Sequence, residues 1–201
     1  SLNRKLLSSG ADIKEINTVR KHLSKIKGGN LLKMSFPAKV HSFILSDVIG
    51  DDLSSISSGP TVPDETSFYD VKKILRKYNL WNDIHKSIKA HIELGILDKS
   101  LETPDKTNKV FLNVENTLIG SNNLCLKSID SLCKKKDINS KIWKTNIEGD
   151  VQVIANNFVR DLKKNNYKKP IILISGGEST VKIKGKGKGG RNQEFALHFI
   201  K

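Results

Sequence analysis

Apolar residues recur along this chain with two periods, one typical of helices and one typical of strands. The first stretch with apolar residues at helical spacing predicts a helix over residues 13–27, and Gly28 and Gly29 are expected to end it. Further helices are predicted near residues 71–78, 83–94, 125–133, 151–162 and from 192 onward. Strands are predicted at residues 40–45, 110–114, 141–147, 171–174 and 180–184. Because strands alternate with helices, the pattern predicts an α/β fold with parallel strands.

A polar stretch from Lys99 to Lys109 interrupts this pattern and contains Pro104, which makes it the best candidate for a linker. We therefore expect two domains, over residues 1–105 and 106–201, and a length of 201 residues is sufficient for two small ones.

The apolar runs of the chain bear on its location in the cell, and the chain ends bear on whether it is a whole protein. The longest aliphatic run, Ile171–Ile174, has four residues, whereas a membrane-spanning helix needs about 20. No export signal is recognisable, so we expect a cytoplasmic protein. Because the chain begins at Ser1 and stops within a helical pattern, we also expect an internal fragment of a longer protein.

The net charge of +14 raises the hypothesis of nucleic-acid binding. However, the cations are 30 Lys and only 5 Arg, and the aromatic residues are 7 Phe, 3 Tyr and 2 Trp. Proteins that read nucleic acids rely on Arg for bidentate contacts and stacking. A lysine-rich solvated surface therefore explains the charge better. Cys125 and Cys133 are expected to be reduced thiols, and the His residues show no metal-ligand spacing.

Three segments combine a strand with a following loop of Gly and small polar residues, and ligands of open α/β sheets bind beyond the carboxyl ends of strands. In the first segment, Ser46–Asp52, Asp47 and Asp51 flank a Gly turn after a strand predicted to be buried. Their carboxylates have the chemistry to hold Mg²⁺ or to orient a hydroxyl group for proton removal. The alternative is that either Asp only caps the turn.

The second segment follows the strand predicted at residues 171–174. Its Ser175, Gly176 and Gly177 predict a loop whose backbone N–H groups approach an anion closely, as in a nest. Glu178 would then hold a ribose hydroxyl or a metal. The alternative is a simple hairpin turn.

The third segment combines three cations, the start of a helix and four glycines, Gly185, Gly187, Gly189 and Gly190. Gly185, Gly187 and Gly190 fit the dinucleotide pattern G-x-G-x-x-G. The segment also nearly matches the sequence pattern of a P-loop, with Arg191 and Asn192 in place of Lys and Ser/Thr. Under either pattern the composition predicts an anion site suited to phosphate, and a flexible basic hairpin is the alternative.

These segments together offer carboxylates, Gly-rich cradles and a guanidinium group, whereas the spacing suggests neither a Ser-His-Asp order nor a Cys-His pair. Phosphoryl transfer needs mainly cations around the transferred group, a metal and a positioned nucleophile. The residues therefore favour phosphoryl transfer.

Taken in order, the segments resemble the type II glycerate kinase (glycerate 2-kinase) family, whose C-terminal part is the MOFRL domain. The resemblance is carried by the runs Ser9–Ile13, Glu15–Ser24, Ile26–Gly29, Ser46–Asp52, Ser58–Asp64, Ser175–Glu178 and Gly189–Leu197. It implies an ATP- and Mg²⁺-dependent kinase that phosphorylates the 2-hydroxyl of D-glycerate to give 2-phosphoglycerate and ADP. It further implies a partial Rossmann-like first domain and a second α/β domain of the MOFRL type, with the active site in the cleft between them.

The resemblance also suggests roles for individual residues. Arg191 matches a functional arginine that would stabilise the transferred phosphate or bind the glycerate carboxylate. Asp47 and Arg191 are the predicted catalytic residues, and Asp47 and Asp51 are the predicted metal ligands. Arg20 and Lys21 are expected to contact an anionic ligand, unless they form a solvated helix face. The predicted binding set is completed by Ser175, Gly176, Gly177, Glu178, Gly185, Gly187, Gly189, Gly190 and Asn192.

Some features depart from the family or leave alternatives open. The start of the first domain, with a catalytic lysine, and the end of the second domain are expected to lie outside this chain, which would leave it catalytically incomplete.

We expect D-glycerate and ATP as partners, and we expect neither nucleic acid nor a membrane. Whether the protein forms a homodimer is left open. One alternative is an NAD(P)-dependent hydroxypyruvate reductase that uses Gly185, Gly187 and Gly190. The other is a basic nucleic-acid-binding module.

Overall fold

A computed structural model of the chain describes residues 1–182, 185 and 187–200. The end of the strand predicted at residues 180–184 lies outside these residues. The chain divides into two compact units, Ser1–Ile119 and Gly120–Lys201. The division between these units lies later in the sequence than the domain boundary that we expected after residue 105. Within the described residues, no helix is both long enough and apolar enough to cross a membrane.

The first unit is mainly helical, with a two-stranded sheet formed by β1 and β2. Its elements are α1 (Leu2–Ser8), α2 (Ile13–His22), α3 (Asn30–Ser35), β1 (Val40–Leu45), α4 (Phe68–Lys77), α5 (Lys86–Leu97) and β2 (Val114–Gly120), whose last residue belongs to the second unit. Short 3₁₀ turns lie at Ile56–Ser58, Lys99–Leu101 and Lys109–Asn113.

The core of the first unit lies between α1, α2, α4 and α5. Both α2 and α4 begin with a capping box, Asp12 with Glu15 and Ser67 with Asp70, in which two backbone N–H groups are satisfied reciprocally. Their apolar residues then recur at helical spacing on one face. The buried cluster consists of Leu6, Ile16, Val19, Phe68, Val71, Leu75, Trp81 and Ile92. The helices predicted near residues 71–78 and 83–94 are thus confirmed as α4 and α5.

The helix predicted over residues 13–27 is shorter than expected, because α2 ends at His22. The hydroxyl of Ser24 accepts hydrogen bonds from the N–H groups of Ile26 and Lys27, each at 3.3 Å. A short polar side chain that bonds nearby backbone in this way competes with the helical pattern. The chain therefore turns after α2, and Gly29, with a φ of 80°, begins α3.

Two strand predictions for the first unit need correction. β1 has the expected bounds, but it is not buried: its residues alternate in exposure, and Phe43 and Leu45 are each 71% exposed. The strand predicted at 110–114 is wrong, since Lys109–Asn113 forms a 3₁₀ turn and the strand begins at Val114. The side chain of Asn108 accepts the N–H of Val110 and so starts this turn.

The second unit has an α/β arrangement. Its elements are α6 (Asn122–Lys135), β3 (Ser140–Asp150), α7 (Val151–Lys164), β4 (Ile172–Thr180) and α8 (Arg191–Ile200). β3 and β4 pair in parallel, and α7 forms the crossover between them. Side chains of β3, α7 and α8 meet in an aromatic cluster of Trp143, Phe158, Phe195 and Phe199. The predicted α/β class and parallel pairing are confirmed here.

Candidate functional site

Ser175, Gly176 and Gly177 do not form the predicted anion-binding loop, because they continue β4 as far as Thr180. In the parallel register Gly177 lies opposite Ile147. A Cβ atom at Gly177 would collide with the backbone of Ile147, and one at Gly176 would collide with the side chain of Asn122. Glycine is therefore required at both positions for close packing, and the prediction of a backbone nest is wrong for this segment.

Glu178 and Arg191, from two of the predicted segments, meet in the second unit. Arg191 Nη2 lies 2.6 Å from Glu178 Oε1, and the two side chains are 47% and 54% exposed. β4 fixes the carboxylate, and the first residue of α8 carries the guanidinium group. Because both groups remain accessible, an anionic ligand can approach the guanidinium without unfolding any element.

The predicted glycines of the third segment precede α8. Gly185, Gly187, Gly189 and Gly190 are exposed and lie outside helices and strands. The carbonyl of Gly190 accepts the N–H of Glu194 at 3.1 Å, which ties the loop to the first turn of α8. Asn192 is exposed on that first turn. The described glycines are thus accessible and precede a helix, whereas Lys186 of this segment lies outside the described residues. The anion site expected here stays a prediction.

Asp47 lies in the turn that follows β1, with its side chain exposed. The turn is held by Ser46 instead: its Oγ accepts the N–H of Val48 at 3.3 Å. Among the described residues, the Asp47 carboxylate has neither a hydrogen bond nor an ion pair. The capping alternative is therefore wrong for Asp47. Asp51 is partly buried in the same turn and has a positive φ of 57°.

A third carboxylate of this region, Asp52, was not among our predicted residues. It accepts hydrogen bonds from Ser54 N (3.0 Å), Ser54 Oγ (2.9 Å) and Ser55 Oγ (2.6 Å). The hydrogen bond from the Ser55 hydroxyl is the main cause that lowers the pKa of Asp52, and the bonds from Ser54 and the charge of Lys21 act in the same direction. Asp52 is therefore a fixed negative charge at neutral pH.

Asp52 and Lys21 both line a cavity of about 470 Å³ in the first unit. Its walls come from α2, between Lys14 and Lys21, from the loops around residues 52–55 and 62–66, and from Lys106. Most of the residues that line it are polar or charged, and they include Asn17, Thr18, Lys21, Asp52, Asp64 and Thr66. This volume is within the range of small-molecule sites.

Lys21 is held at the cavity wall by a buried carboxylate. Its Nζ lies 3.2 Å from Asp64 Oδ1, and the two side chains are only 9% and 0% exposed. Asp64 also accepts bonds from Thr66 N (3.1 Å), Thr66 Oγ1 (2.8 Å) and Thr103 Oγ1 (3.1 Å). Both charges are thus neutralised within the protein, so the ammonium group of Lys21 has little free charge to offer a ligand.

His22 extends this buried network. Its Nδ1 is 2.9 Å from the carbonyl of Thr18, and its Nε2 is 3.1 Å from Glu102 Oε2. Glu102 in turn accepts the N–H of Phe68 at the start of α4. The network therefore links the end of α2 to α4 through groups more than forty residues apart.

A resident divalent cation would need ligands beyond the side chains present. Among the described residues, no three His, Cys, Asp or Glu side chains are close enough together to hold a metal ion. Mg²⁺ is often held by one or two carboxylates together with substrate phosphates. Asp47, whose carboxylate has no partner in the described chain, and Asp51 on the same turn fit that kind of site.

Asp52, Asp64 and Asn17 are the residues of this region that our predictions did not include. Asp64 stands in the run Ser58–Asp64, so the resemblance marked the position but gave it no role. Its pairing with Lys21, 43 positions away, is set by the packing of the loop on α2. No local pattern carries that information.

Comparison with known proteins gives evidence about the family of this chain that does not depend on the geometry of the site. Residues 1–93 match the family model described as a domain of unknown function (DUF4147), and residues 171–201 match the MOFRL family. The chain is 42% identical over 198 residues to a glycerate 2-kinase of Pyrococcus horikoshii, and 43% identical over 202 residues to a D-glycerate 2-kinase of Thermotoga maritima. These matches cover 96% and 98% of this chain but 44% and 45% of the relatives.

A solved structure gives the same result. The crystal structure of a glycerate kinase from Thermotoga maritima matches with a TM-score of 0.85 and 41% identity, over 98% of this chain and 46% of that chain. The chain thus spans less than half the length of these relatives.

Proposed function

We propose that this chain, which belongs to the glycerate kinase family with a MOFRL domain, is part of a glycerate 2-kinase. The reaction would transfer the γ-phosphoryl group of ATP to the 2-hydroxyl of D-glycerate. A bond forms between the 2-oxygen and the γ-phosphorus, the bond from that phosphorus to ADP breaks, and the hydroxyl proton is released. The identity of more than 40% to two glycerate 2-kinases over nearly the whole chain carries this proposal.

In the second unit, Arg191 is proposed to stabilise negative charge on the transferred phosphoryl group or to bind the glycerate carboxylate. A positioned cation at developing negative charge is a main source of rate enhancement in phosphoryl transfer. Glu178 would hold the guanidinium group in place until the ligand arrives. The exposed loop with Gly185, Gly187 and Gly190 offers backbone beside this cation for an anionic ligand.

In the first unit, Asp47 and Asp51 are proposed to hold Mg²⁺ together with phosphate oxygens of ATP. When bound, Mg²⁺ would neutralise charge on the phosphates. Asp47 is suited to this role because its carboxylate is exposed and has no partner among the described residues. The other role proposed for Asp47 is to orient the 2-hydroxyl group through a hydrogen bond. A cytoplasmic location and a homodimer stay predictions.

The test is an assay of the full-length protein that contains this chain, with ATP, Mg²⁺ and a panel of small hydroxy acids. We expect ADP release with D-glycerate and 2-phosphoglycerate as the product. Hydroxypyruvate with NADH or NADPH forms a parallel arm. Consumption of the reduced nicotinamide without ADP release would reject the kinase in favour of the reductase.

A further inference from the structure

Two cations at the end of α2 differ from Lys21 in their surroundings. Arg20 lies in the last turn of α2, and Lys27 lies in the turn that follows. Arg20 Nη1 donates to Asn17 Oδ1 at 3.4 Å, and the Lys27 Nζ donates to the carbonyl of Ser57 at 2.6 Å. Both partners are neutral. Within the described part of the chain, no carboxylate forms an ion pair with either cation.

The two cations are near enough to repel each other. The pKa of Lys27 is lowered, mainly by partial burial of its ammonium group and further by the positive charge of Arg20. Two partly buried cations that repel each other and lack a carboxylate are unfavourable, although the C-terminal end of a helix offsets part of this cost for Arg20. An oxyanion placed between them would remove the repulsion and form charge-assisted hydrogen bonds with both.

The backbone turn that accepts the hydrogen bond of Lys27 is strained. Ser57, Ser58 and Gly59 have positive φ values of 52°, 61° and 61°, a conformation that serine rarely adopts. Two backbone hydrogen bonds hold the turn. The N–H of Gly28 donates to the carbonyl of Ser58 at 2.9 Å, and the N–H of Gly29 donates to the carbonyl of Gly59 at 2.8 Å.

The same turn is also joined to α2. The Ser58 hydroxyl donates to Asn17 Oδ1 at 2.9 Å, the oxygen that also accepts from Arg20. Asn17 and the Ser57 carbonyl therefore hold the two cations on one preformed framework. Strained, over-determined backbone of this kind is concentrated at ligand-binding positions in proteins.

From this arrangement we infer that Arg20 and Lys27 form an oxyanion subsite, which binds a carboxylate or phosphate group of a substrate, whereas Lys21 is a structural residue paired with Asp64. Lys27 thereby becomes a binding residue, and Lys21 leaves the binding set that its sequence run implied. The inference deepens the proposed function and rests on it for the identity of the anion, either the glycerate carboxylate or a phosphate of ATP.

The first experiment compares Lys27→Met with Lys25→Met in the full-length protein. Lys25 is two positions away and exposed, so its variant removes the same charge from the same surface. We expect Lys27→Met to raise the KM for D-glycerate or for ATP by about tenfold or more, the loss of one charge-assisted hydrogen bond. Lys25→Met should leave both values within about twofold. Which of the two KM values rises identifies the source of the anion.

A purely structural role for Lys27 predicts a different result. If the ammonium group only holds the Ser57 turn, Lys27→Met lowers the melting temperature and decreases kcat without a selective change in KM. Lys27→Arg, which restores the charge, should recover most of the affinity under our inference. Unchanged KM values for both substrates in Lys27→Met and in Arg20→Gln would overturn the subsite.

A binding measurement separates this inference from the proposed function. Titration calorimetry with D-glycerate, with ADP and with inorganic phosphate needs no turnover. If the full-length protein does not phosphorylate glycerate, the proposed function fails, but a weaker affinity of Lys27→Met than of Lys25→Met for one of these anions still supports the subsite. Equal affinities of the two variants for all three anions would overturn it, whatever the enzyme's activity.

Discussion

Each unit of the protein joins a cation to a carboxylate, but the two pairs have opposite surroundings. Lys21 and Asp64 are buried in the first unit, and Asp64 is saturated by further bonds from Thr66 and Thr103. Arg191 and Glu178 in the second unit are about half exposed and, among the described residues, have no other ion-pair partner. A cation near a binding segment is thus a candidate ligand contact only where a ligand can reach it, as at Arg191, and not where it is buried against its carboxylate, as at Lys21.

The two pairs should therefore respond to mutation in opposite ways. Breaking a buried pair leaves an uncompensated charge away from water, which is costly for folding. Breaking an exposed pair changes stability little, because water replaces the lost partner. Loss of stability without a specific kinetic defect marks the first kind of pair, and loss of turnover without loss of stability marks the second.

The largest expected effect on stability is that of Asp64→Asn. It leaves the Lys21 ammonium buried without its partner, so we expect the free energy of unfolding to fall by about 3 kcal/mol or more. Denaturant-induced unfolding of the full-length protein measures this change. Asp83→Asn is the control, since Asp83 pairs with Lys5 at 2.6 Å but is 68% exposed, and it should cost less than about 1 kcal/mol. Equal effects of the two variants would contradict the distinction between buried and exposed pairs.

The exposed pair is tested by Arg191→Ala. We expect kcat to fall by about 100-fold or more, because removal of one positioned charge typically costs about 3 kcal/mol of transition-state stabilisation. Stability should change by less than about 1 kcal/mol. Arg160→Ala in α7 is a matched control, as Arg160 is exposed and bonded only to Asn157 among the described residues. A near-normal rate of Arg191→Ala would remove this residue from the mechanism.

How far the sequence could predict these regions depends on how local the determining contacts are. α4 and α7 could be predicted because their caps and apolar positions lie within the helices themselves. The role of Gly176 and Gly177 could not, since it depends on Asn122 and Ile147, far away in the sequence. A pair of glycines is equally compatible with a turn and with close packing of strands.

The candidate site shows the same limit. Arg191 and Glu178 were both predicted, and each follows from its own segment. The difference between Lys21 and Lys27 was not predictable, because it is set by Asp64 and by the carbonyl of Ser57, which approach α2 from a distant loop. The sequence identifies a cation, but only the fold shows which carboxylate neutralises it.

A smaller kinetic effect is expected for Asp47→Asn. Loss of a carboxylate ligand should raise the Mg²⁺ concentration needed for half-maximal activity and lower kcat by about tenfold. Stability should be unchanged, because Asp47 is exposed and the Ser46 hydroxyl holds its turn. A Mg²⁺ titration of activity measures the effect, with Asp105→Asn as the control in an exposed loop of the same unit. An unchanged Mg²⁺ response would show that Asp47 is not a metal ligand.

The smallest effect concerns the acid limb of stability and tests whether Asp52 belongs with the fixed charges of the first unit. Its pKa is lowered in the folded protein, chiefly by the Ser55 hydroxyl. The stabilisation is therefore fully present above the ordinary pKa of 3.8 and is lost as the pH falls through the lower, folded value. Asp52 is exposed, so the contribution should be below about 1 kcal/mol.

Asp52→Asn removes this titration, because the amide has no charge to lose. The variant should be less stable than the parent at pH 6, and the difference should be smaller at about pH 3, because below the ordinary pKa of 3.8 the stabilisation is lost as the pH falls toward the lower pKa of the folded carboxylate. Thermal unfolding midpoints at the two pH values measure the difference. A constant difference at both would mean that the Ser54 and Ser55 bonds stabilise the turn without reference to the charge, and Asp52 would then be no different from a neutral cap.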